Sequence, residues 1–300
     1  MNATYDVMIA GGSYAGLSAA MALGRALRNV LIIDSGDPCN KQTPHSHNFL
    51  TQDGQTPAQI ADKAKHQVMQ YNTISWHQGL VSNVVSTPAG FEVSTAAGET
   101  FLAKKILFAT GIKDQLLPVK GLAETWGISV LHCPYCHGYE IRGEVTGIIA
   151  NGDMAFEFSR LISNWTRKLS LFTNGPSTLT AEQVAKLNSH QIAIIEEVIS
   201  EFKQENGQLQ QIVLKDGTQH AVTAAYIKLP FKQHCEIPQQ LGCAITEQGF
   251  IEVNDFQQTT IAGVYAAGDN TSMFRSVANA VAAGTKAGAM INKELIEETF

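Results

Sequence analysis

The chain has 300 residues, 44% hydrophobic and 16% charged, which is enough apolar material for one large domain or two ordinary ones. Its formal net charge of −6 supplies no basic surface for a nucleic-acid backbone, so nucleic acid is not expected as a partner. The pattern contains no apolar run of membrane-spanning length and no signal peptide, so no membrane association is expected. The 5 cysteines contain one close pair, which is unlike a secreted disulfide-rich scaffold and predicts a cytoplasmic protein.

The first segment of the chain predicts a βαβ unit that binds a dinucleotide. In such units a pyrophosphate lies at the helix N-terminus, where unpaired backbone N–H groups and the helix dipole favour negative charge. The run Gly11-Gly12-Ser13-Tyr14-Ala15-Gly16 follows the G-x-G-x-x-G fingerprint, with Ser13 in place of the middle glycine. Asp34 stands at the end of the second strand, where a carboxylate accepts hydrogen bonds from ribose hydroxyls. The unit is predicted as strand 5–10, turn 11–16, helix 17–28 and strand 29–34.

The next segment predicts mixed secondary structure up to a domain crossing. Its last strand becomes apolar and ends at Ala109-Thr110-Gly111, after which Pro118 and Gly121 interrupt the pattern. We expect the chain to pass into a second domain at this interruption. The predicted elements before it are a helix at 58–71 and strands at 74–78, 80–86, 90–94 and 100–109.

Cys133 and Cys136 stand at CxxC spacing within the run His132-Cys133-Pro134-Tyr135-Cys136-His137. This spacing closes a small disulfide ring and lowers the pKa of one thiol, so that the reactive thiolate is populated near neutral pH. Half of a zinc site would need a second Cys or His pair at similar spacing, whereas the remaining cysteines are scattered. The pair therefore predicts thiol–disulfide chemistry, and no metal is expected.

A second βαβ pattern follows, with strand 144–150, turn 150–155, helix 156–166 and strand 168–173. Its fingerprint is degraded, because Ala150 replaces the first glycine of the G-x-G-x-x-A pattern. At the next strand end, Thr173-Asn174-Gly175 carries neither an acid for a ribose nor an arginine cluster for a 2′-phosphate. Two interpretations stay open, a nicotinamide nucleotide site or a nucleotide-type domain retained for its packing. The candidate residues of this second site are Gly152, Asp153, Met154 and Ala155.

The remaining chain predicts a hairpin, a return linker and a long helix. Asp216-Gly217 is a strong turn signal between two strands within 209–229, and residues 230–242 lead back to the first domain. Strand patterns at 251–254 and 261–266 precede a helix over 276–297, whose Ala and Gly spacing permits close backbone approach to a flat group or to a sheet. Together the patterns predict an α/β protein with two Rossmann-like dinucleotide-binding domains, the second inserted into the first. The predicted domains are 1–115 with 246–300, and 116–245.

These motifs, in this order, resemble the low-molecular-weight thioredoxin reductases over nearly the whole chain. The resemblance is sharper to a branch whose redox segment reads Cys-Pro-Tyr/Phe-Cys-His-Gly-Tyr-Glu, as residues 133–140 do here. That branch includes the dithiol oxidases that close disulfides in natural products such as gliotoxin and holomycin. The matching segments are Gly11–Gly16, Ala109–Gly111, Cys133–Cys136, Ala150–Ala155 and Thr259–Asp269.

The resemblance implies an FAD domain made from the two ends of the chain. Gly11–Gly16 would bind the pyrophosphate, Asp34 the adenosine ribose and Asp269 the ribityl-phosphate part of the flavin. Ser276 and Val277 would lie near the flavin ring. The complete implied set is Gly11, Gly12, Ser13, Tyr14, Ala15, Gly16, Asp34, Val81, Ala109, Thr110, Gly111, Gly268, Asp269, Ser276 and Val277.

The same resemblance implies roles for the residues of the redox segment. Cys136 would stack against the flavin as the charge-transfer thiol, and Cys133 would exchange with the substrate. Where the family usually has Asp after the second Cys, this chain has His137, whose imidazole would take a proton from a substrate dithiol and return it to a leaving thiolate. The alternative for His137 is a hydrogen bond that only holds the loop. His45 and His47 are assigned no catalytic role, and Cys39 is expected to pack as a small apolar residue.

Three functional hypotheses follow. In the first, NADPH or NADH reduces the cysteine pair through FAD, and the pair reduces a thioredoxin-like protein or a small disulfide. In the second, a small dithiol reduces the pair and electrons pass through FAD to oxygen, or a ferredoxin replaces the nicotinamide donor, as the degraded second fingerprint favours. The third is a non-catalytic flavin redox sensor. A homodimer is expected in each case, by resemblance to the family.

Overall fold

The computed structural model describes residues 4–300 of the chain. The strands in this range are β1 (Thr4–Ala10), β2 (Val30–Asp34), β3 (Ile74–Gln78), β4 (Val81–Thr87), β5 (Gly90–Thr95), β6 (Thr100–Phe108), β7 (Ile112–Asp114), β8 (Val130–Leu131), β9 (Thr146–Ile149), β10 (Leu169–Phe172), β11 (Ala193–Ile195), β12 (Ile199–Glu205), β13 (Gln208–Leu214), β14 (Gln219–Ala221), β15 (Ala224–Ile227), β16 (Phe231–Gln233) and β17 (Val264–Ala266). The helices are α1 (Tyr14–Arg25), α2 (Pro57–Val68), α3 (Leu122–Thr125), α4 (Pro134–His137), α5 (Gly152–Ile162), α6 (Ala181–Ser189), α7 (Ile237–Gln240) and α8 (Val277–Glu297).

The chain divides into two compact units. Unit 1 contains the described residues up to Lys41 together with Phe49–Lys113 and Phe231–Phe300, and unit 2 contains Gln42–Asn48 and Asp114–Pro230. The boundaries differ from the predicted ones in three places, of which the smallest is the segment 114–115, which lies in unit 2. Residues 231–245 belong to unit 1, because Ile237 and Cys243 are buried in its core, and the loop 42–48 belongs to unit 2.

Unit 1 is built on a sheet with the order β3-β2-β1-β6-β5-β4, in which β17 also pairs with β6. Strands β3, β2, β1, β6 and β17 are parallel, whereas β4, β5 and β6 form an antiparallel meander. Val7, Met8 and Ile9 of β1 are fully buried. A parallel strand that is covered on both faces needs such a continuous apolar run, so this part of the sheet lies inside the unit.

Helix α1 begins earlier and ends earlier than predicted. It begins at Tyr14 because Ser13 already has the extended backbone of an N-cap, and it ends at Arg25 because Leu27 adopts a left-handed conformation with φ 61°. The turn after β1 therefore contains only the first glycines of the fingerprint.

The glycines of α8 allow a close contact with α1. A Cβ on Gly284 would lie 2.0 Å from the carbonyl oxygen of Ala15, and one on Gly288 would lie 2.6 Å from that of Ala19. Ser18 also donates a hydrogen bond of 2.8 Å to the carbonyl of Val281. The small-residue spacing of α8 thus packs against a helix, and the expected contact with a flat group or a sheet is wrong for this face.

Unit 2 contains a parallel sheet with the order β11-β10-β9-β15-β8 and an antiparallel sheet of β12, β13 and β14. Where one strand was predicted after the hairpin turn, the structure has two, β14 and β15. The chain leaves the antiparallel sheet after β14 and enters the parallel sheet as β15. Helix α6 and strand β12 were not predicted. The predicted strand at 251–254 is also wrong, since Ile251 forms only an isolated bridge with Ile245, and the pattern at 261–266 forms the short strand β17.

Both units have the parallel sheets and flanking helices of Rossmann-like folds, so the predicted α/β class is confirmed. No helix within residues 4–300 combines the length and the apolar character that crossing a membrane requires.

Candidate functional site

A disulfide joins Cys133 and Cys136 in unit 2, with their Cα atoms 5.4 Å apart. Cys133 is the N-cap of α4, and Pro134 occupies its first turn. The fixed φ of proline suits this position, and the missing N–H would have no partner within the helix. The two cysteines are half-buried, whereas Tyr135 between them is 64% exposed. The disulfide turn is therefore partly exposed to solvent.

Trp165 and Gly138 support the turn that carries the disulfide. The N–H of Gly138 donates a 2.7 Å hydrogen bond to the carbonyl of Pro134 and closes α4. A Cβ on Gly138 would lie 2.4 Å from that oxygen and 2.8 Å from Nε1 of Trp165. The Trp165 ring also contacts Tyr135 edge to face, with ring centroids 5.6 Å apart. Glycine at position 138 is thus required for the close packing of the turn, which sequence reasoning did not identify.

His137 lies in a group of ionisable side chains within unit 2. Its ring is perpendicular to that of His47, with centroids 6.5 Å apart, and His45 lies beyond His47 at 6.4 Å. Nδ1 of His47 is 3.6 Å from Oε1 of Glu140. Burial lowers the pKa of His137, and the charge on His47 lowers it further, whereas Glu140 acts in the opposite direction. The sequence contained no signal for this group, because ninety positions separate His47 from His137.

The other cysteines and histidines do not complete a metal site. His132 packs beside Trp126, with ring centroids 6.0 Å apart. Cys39, which was expected to pack as an apolar residue, is exposed, so that expectation is wrong. Within the described part of the chain, no three His, Cys, Asp or Glu side chains are grouped so that they could hold a metal ion.

The first fingerprint forms a tight turn in unit 1. Residue 11 has φ +102°, and a Cβ there would lie 2.4 Å from the carbonyl oxygen of Ala109. A Cβ on Gly16 would lie 1.9 Å from the carbonyl oxygen of Gly11, and one on Gly12 would lie 2.2 Å from the ring of Trp76. Only glycine fits these three positions, because two of the contacts are with backbone and the third is with a large ring.

Polar groups around this turn fit a dinucleotide. The carboxylate of Asp34 accepts hydrogen bonds from the N–H groups of Gly12 at 2.5 Å and Gly36 at 2.6 Å, so it lies at the fingerprint. Ser13 makes no side-chain cap, which leaves the first-turn N–H groups of α1 uncovered by its own N-cap. The hydroxyl of Thr110 and the amide oxygen of Asn270 are buried and have no hydrogen-bond partner in the described chain. Buried polar groups of this kind normally bond to a ligand or to ordered water.

The remaining residues of the implied FAD set have identifiable positions in unit 1. Oδ2 of Asp269 lies 3.8 Å from Nε of Arg275. Ser276 is the N-cap of α8, and its hydroxyl accepts a 3.1 Å hydrogen bond from the N–H of Asn279. Val277 is the first residue of that helix. The side chain of Val81 packs in the core of the unit.

The second fingerprint in unit 2 has a covered helix start. Asn151 is the N-cap of α5, and its Oδ1 accepts hydrogen bonds from the N–H of Gly152 at 2.8 Å, and from the N–H and Oγ1 of Thr178 at 2.9 and 3.2 Å. Its Nδ2 donates to the carbonyl of Pro176 at 2.9 Å. A Cβ on Gly152 would lie 3.0 Å from Oγ1 of Thr178. The first N–H of α5 is therefore bonded to the side chain of its own N-cap.

Other residues at this helix start also disfavour a phosphate. Asp153 lies in the first turn of α5, and its carboxylate accepts a 2.7 Å hydrogen bond from Nε2 of Gln183. Ala155 is fully buried and Met154 is 55% exposed. At the end of β10, the side chain of Asn174 accepts a 2.8 Å hydrogen bond from the N–H of Ile199. The start of α5 thus carries a capping side chain and a carboxylate, and neither favours the binding of a pyrophosphate.

Two Rossmann-like sheets, with an open dinucleotide turn in one and a redox disulfide in the other, are the architecture of the flavin-dependent disulfide oxidoreductases. Residues 5–284 match the model of the pyridine nucleotide-disulphide oxidoreductases, and the chain belongs to that family. It is an enzyme of thioredoxin reductase type that uses FAD and transfers electrons between thiols and disulfides. The predicted family, activity class and flavin cofactor are thus confirmed.

Three relatives show how closely the whole chain matches. Thioredoxin reductase tcpT of Claviceps purpurea is 33% identical over 304 residues, covering 98% of this chain and 95% of the relative. Thioredoxin reductase sirT of Leptosphaeria maculans is 30% identical over 306 residues, covering 96% and 93%. The crystal structure of an oxidoreductase from Agrobacterium tumefaciens is 36% identical, with a TM-score of 0.92 and coverage of 98% and 99%.

Proposed function

We propose that Cys133 and Cys136 are the pair that reacts with the substrate, with His137 as general acid and base. A substrate thiolate attacks Sγ of Cys133, forms a mixed disulfide and releases Cys136 as a thiolate. The second substrate thiol then attacks the mixed disulfide and releases Cys133. Two electrons and two protons leave the substrate, which becomes a disulfide, and the enzyme pair becomes a dithiol. The observation that carries this proposal is the half-buried His137 directly after an accessible disulfide.

His137 is suited to the proton transfers of these steps. Its pKa lies below the ordinary value because of burial and the neighbouring His47. The imidazole is therefore neutral at pH 7 and ready to accept the proton of an incoming thiol. The proton is then available to a thiolate that leaves in the next step.

Unit 1 provides the residues that would hold FAD. The turn Gly11–Gly16 and the start of α1 would bind the pyrophosphate, and the carboxylate of Asp34 would accept hydrogen bonds from the ribose. Asp269 would bind the ribityl part, and Thr110 and Asn270 would supply buried polar groups. Bound FAD supplies the two-electron acceptor or donor for the cysteine pair.

The second nucleotide site favours oxidation of a dithiol over reduction by a nicotinamide. Asn151 and Thr178 cover the N-terminus of α5, and the carboxylate of Asp153 lies in the first turn, where it would oppose a phosphate. In the oxidase direction the enzyme needs no nicotinamide, and molecular oxygen accepts the electrons. The overall reaction converts a dithiol and O₂ into a disulfide and hydrogen peroxide. The substrate is then a small dithiol, and the alternative partner is a thioredoxin-like protein, in keeping with the relatives' names. We further propose a homodimer in the cytoplasm.

An anaerobic titration of the flavin absorbance tests the direction. We expect no bleaching with NADPH or NADH, followed by bleaching with a small dithiol and recovery of the absorbance in air. Stoichiometric bleaching by either nucleotide would instead support a nicotinamide-driven reductase. Cys133→Ser should abolish turnover with the dithiol, whereas unchanged turnover would remove the cysteine pair from the mechanism. A redox sensor would instead show no turnover in the wild type, and Cys133→Ser would keep its partner binding.

A further inference from the structure

The loop 42–48 brings a second histidine to the redox turn of unit 2. Gln42 and Thr43 pack against Gly127, at 3.2 and 3.3 Å from the position of a Cβ there. The side chain of His47 on this loop is only 18% exposed, whereas that of Glu140 beside it is 38% exposed. A loop that is distant in sequence is thus ordered next to residues 137–140.

His47 and Glu140 form one electrostatic unit, because Nδ1 and Oε1 are 3.6 Å apart. This unit is neutral when His47 is protonated and carries a negative charge when His47 is neutral. The ring of His137 lies at 6.5 Å from the ring of His47, so it is within the range of this charge. The two members act on the pKa of His137 in opposite directions, His47 lowering it and Glu140 raising it.

Two other ionisable groups, His45 and Tyr226, lie near His47 and Glu140. His45 lies behind His47, with ring centroids 6.4 Å apart. The hydroxyl of Tyr226 is buried, and its pKa is raised far above the ordinary value by burial and by Glu140, so it stays neutral and adds no charge. Among the described residues, the charges that act on His137 are therefore those of His47 and Glu140.

We propose that His47 is a positioning residue of the reaction, and that with Glu140 it sets the charge beside the imidazole of His137 so that this ring accepts the substrate proton. This inference rests on the proposed role of His137. It adds His47 and Glu140 to the residues that take part in the reaction. His47 lies on the loop 42–48, and the sequence assigned it no catalytic role.

The test measures the pKa of His137 directly in the oxidised, FAD-loaded enzyme. Protein labelled with ¹³C and ¹⁵N in histidine is titrated by NMR, and the His137 signal is assigned by its loss in His137→Gln. We expect an upward shift of the His137 pKa in His47→Gln, because a neighbouring positive charge is removed, and a downward shift in Glu140→Gln. His190→Gln, at an exposed position after α6, is the control and should leave the His137 pKa unchanged.

The pH profile of turnover gives a second readout. The acid limb of kcat/KM should move to higher pH in His47→Gln and to lower pH in Glu140→Gln, while activity on the alkaline side is retained. If His47 had a merely structural role, its replacement would lower activity at every pH. The acid limb would then not move in opposite directions in the two variants. If His47→Gln does not fold, Glu140→Gln alone still tests the pair.

The outcomes separate this inference from the proposed function. An unchanged His137 pKa in both variants, or a shift of the same sign in both, overturns the inference even if His137→Gln abolishes turnover. Shifts of opposite sign, together with full turnover in His137→Gln, overturn the proposed function and with it the role of His47 in catalysis. Shifts of opposite sign with loss of turnover in His137→Gln support both.

Discussion

Helices α1 and α5 each follow a buried parallel strand. Their N-termini differ in the group that accepts hydrogen bonds from the first backbone N–H groups. In α1 the N-cap Ser13 makes no side-chain hydrogen bond, and Asp34 lies beside the turn. In α5 the N-cap Asn151 accepts from Gly152 and is fixed by Thr178 and Pro176. On the basis of this difference we propose that the start of α1 binds a phosphate and the start of α5 does not.

The largest effect is expected from Gly11→Ala, which breaks the open helix start of unit 1. A Cβ at this position would lie 2.4 Å from the backbone oxygen of Ala109, which cannot move aside as a side chain would. We expect the free energy of unfolding to fall by about 3 kcal/mol, and bound FAD to be lost. Urea unfolding and the flavin absorbance of the purified protein measure the two effects.

Gly98→Ala is the matched control for this substitution. Residue 98 also has a left-handed backbone, with φ +86°, but nothing lies within 4 Å of the position of its Cβ. It should cost only the left-handed backbone penalty of about 1 kcal/mol and should retain FAD. Equal losses in the two variants would show that the backbone contact of Gly11 is unimportant.

Lys105→Met should have the next largest effect. It removes the ion pairs between Lys105 and α8, the helix that packs on α1. Lys105 is 6% exposed, and its ammonium contacts the carboxylates of Glu294 and Glu298. We expect the free energy of unfolding at pH 7 to fall by about 2 kcal/mol, since both carboxylates are partly solvated. Urea unfolding measures the loss, with Lys293→Met on an exposed pair as the control.

The same ion pairs predict how the stability of unit 1 depends on pH. Burial would raise the pKa of Glu294, but hydrogen bonds from Lys105 and Tyr265 lower it below its ordinary value. A carboxylate with a lowered folded-state pKa stabilises the protein above its unfolded pKa, and this contribution is lost as the pH falls through the folded pKa. Below about pH 4, wild type should therefore lose stability more steeply than Lys105→Met. Parallel curves would contradict this assignment.

Asn151→Ala tests the capped helix start of unit 2. Loss of the N-cap should lower the free energy of unfolding by about 1 kcal/mol. Combined with Asp153→Asn, it should also give the protein weak NADPH binding, measured by nucleotide fluorescence, because the helix start is uncovered. Thr180→Ala removes the similar N-cap of α6 and should cost as much stability without any gain in binding. NADPH binding by wild type would contradict the closed site.

Ser13→Ala should have the smallest effect on stability. Ser13 makes no capping hydrogen bond, so the free energy of unfolding should change by less than about 0.5 kcal/mol. A loss as large as that of Asn151→Ala would mean that Ser13 caps α1 in solution, and the difference between the two helix starts would then disappear.

Much of the fold was predictable because its signals are local. The strand β3 was predicted with its observed bounds, and the turn at Asp216-Gly217 joins β13 and β14. The missed helix α6 also had a local signal, the capping box of Thr180 and Gln183, which was not used. The start of α5 was placed too late for a different reason. Its first turn looked like a phosphate-binding loop until the structure showed Asn151 as the N-cap.

Local residue patterns predicted the alternation of strands and helices, the glycine fingerprint at residues 11–16 and the Cys133–Cys136 pair, because each depends on residues a few positions apart. Tertiary structure decided the contacts between residues far apart in the chain. It placed His47 beside His137, Thr178 over the start of α5, and the glycines of α8 against α1. Local periodicity records which side of an element is buried, but the partner on that side depends on the path of the loops that connect the elements.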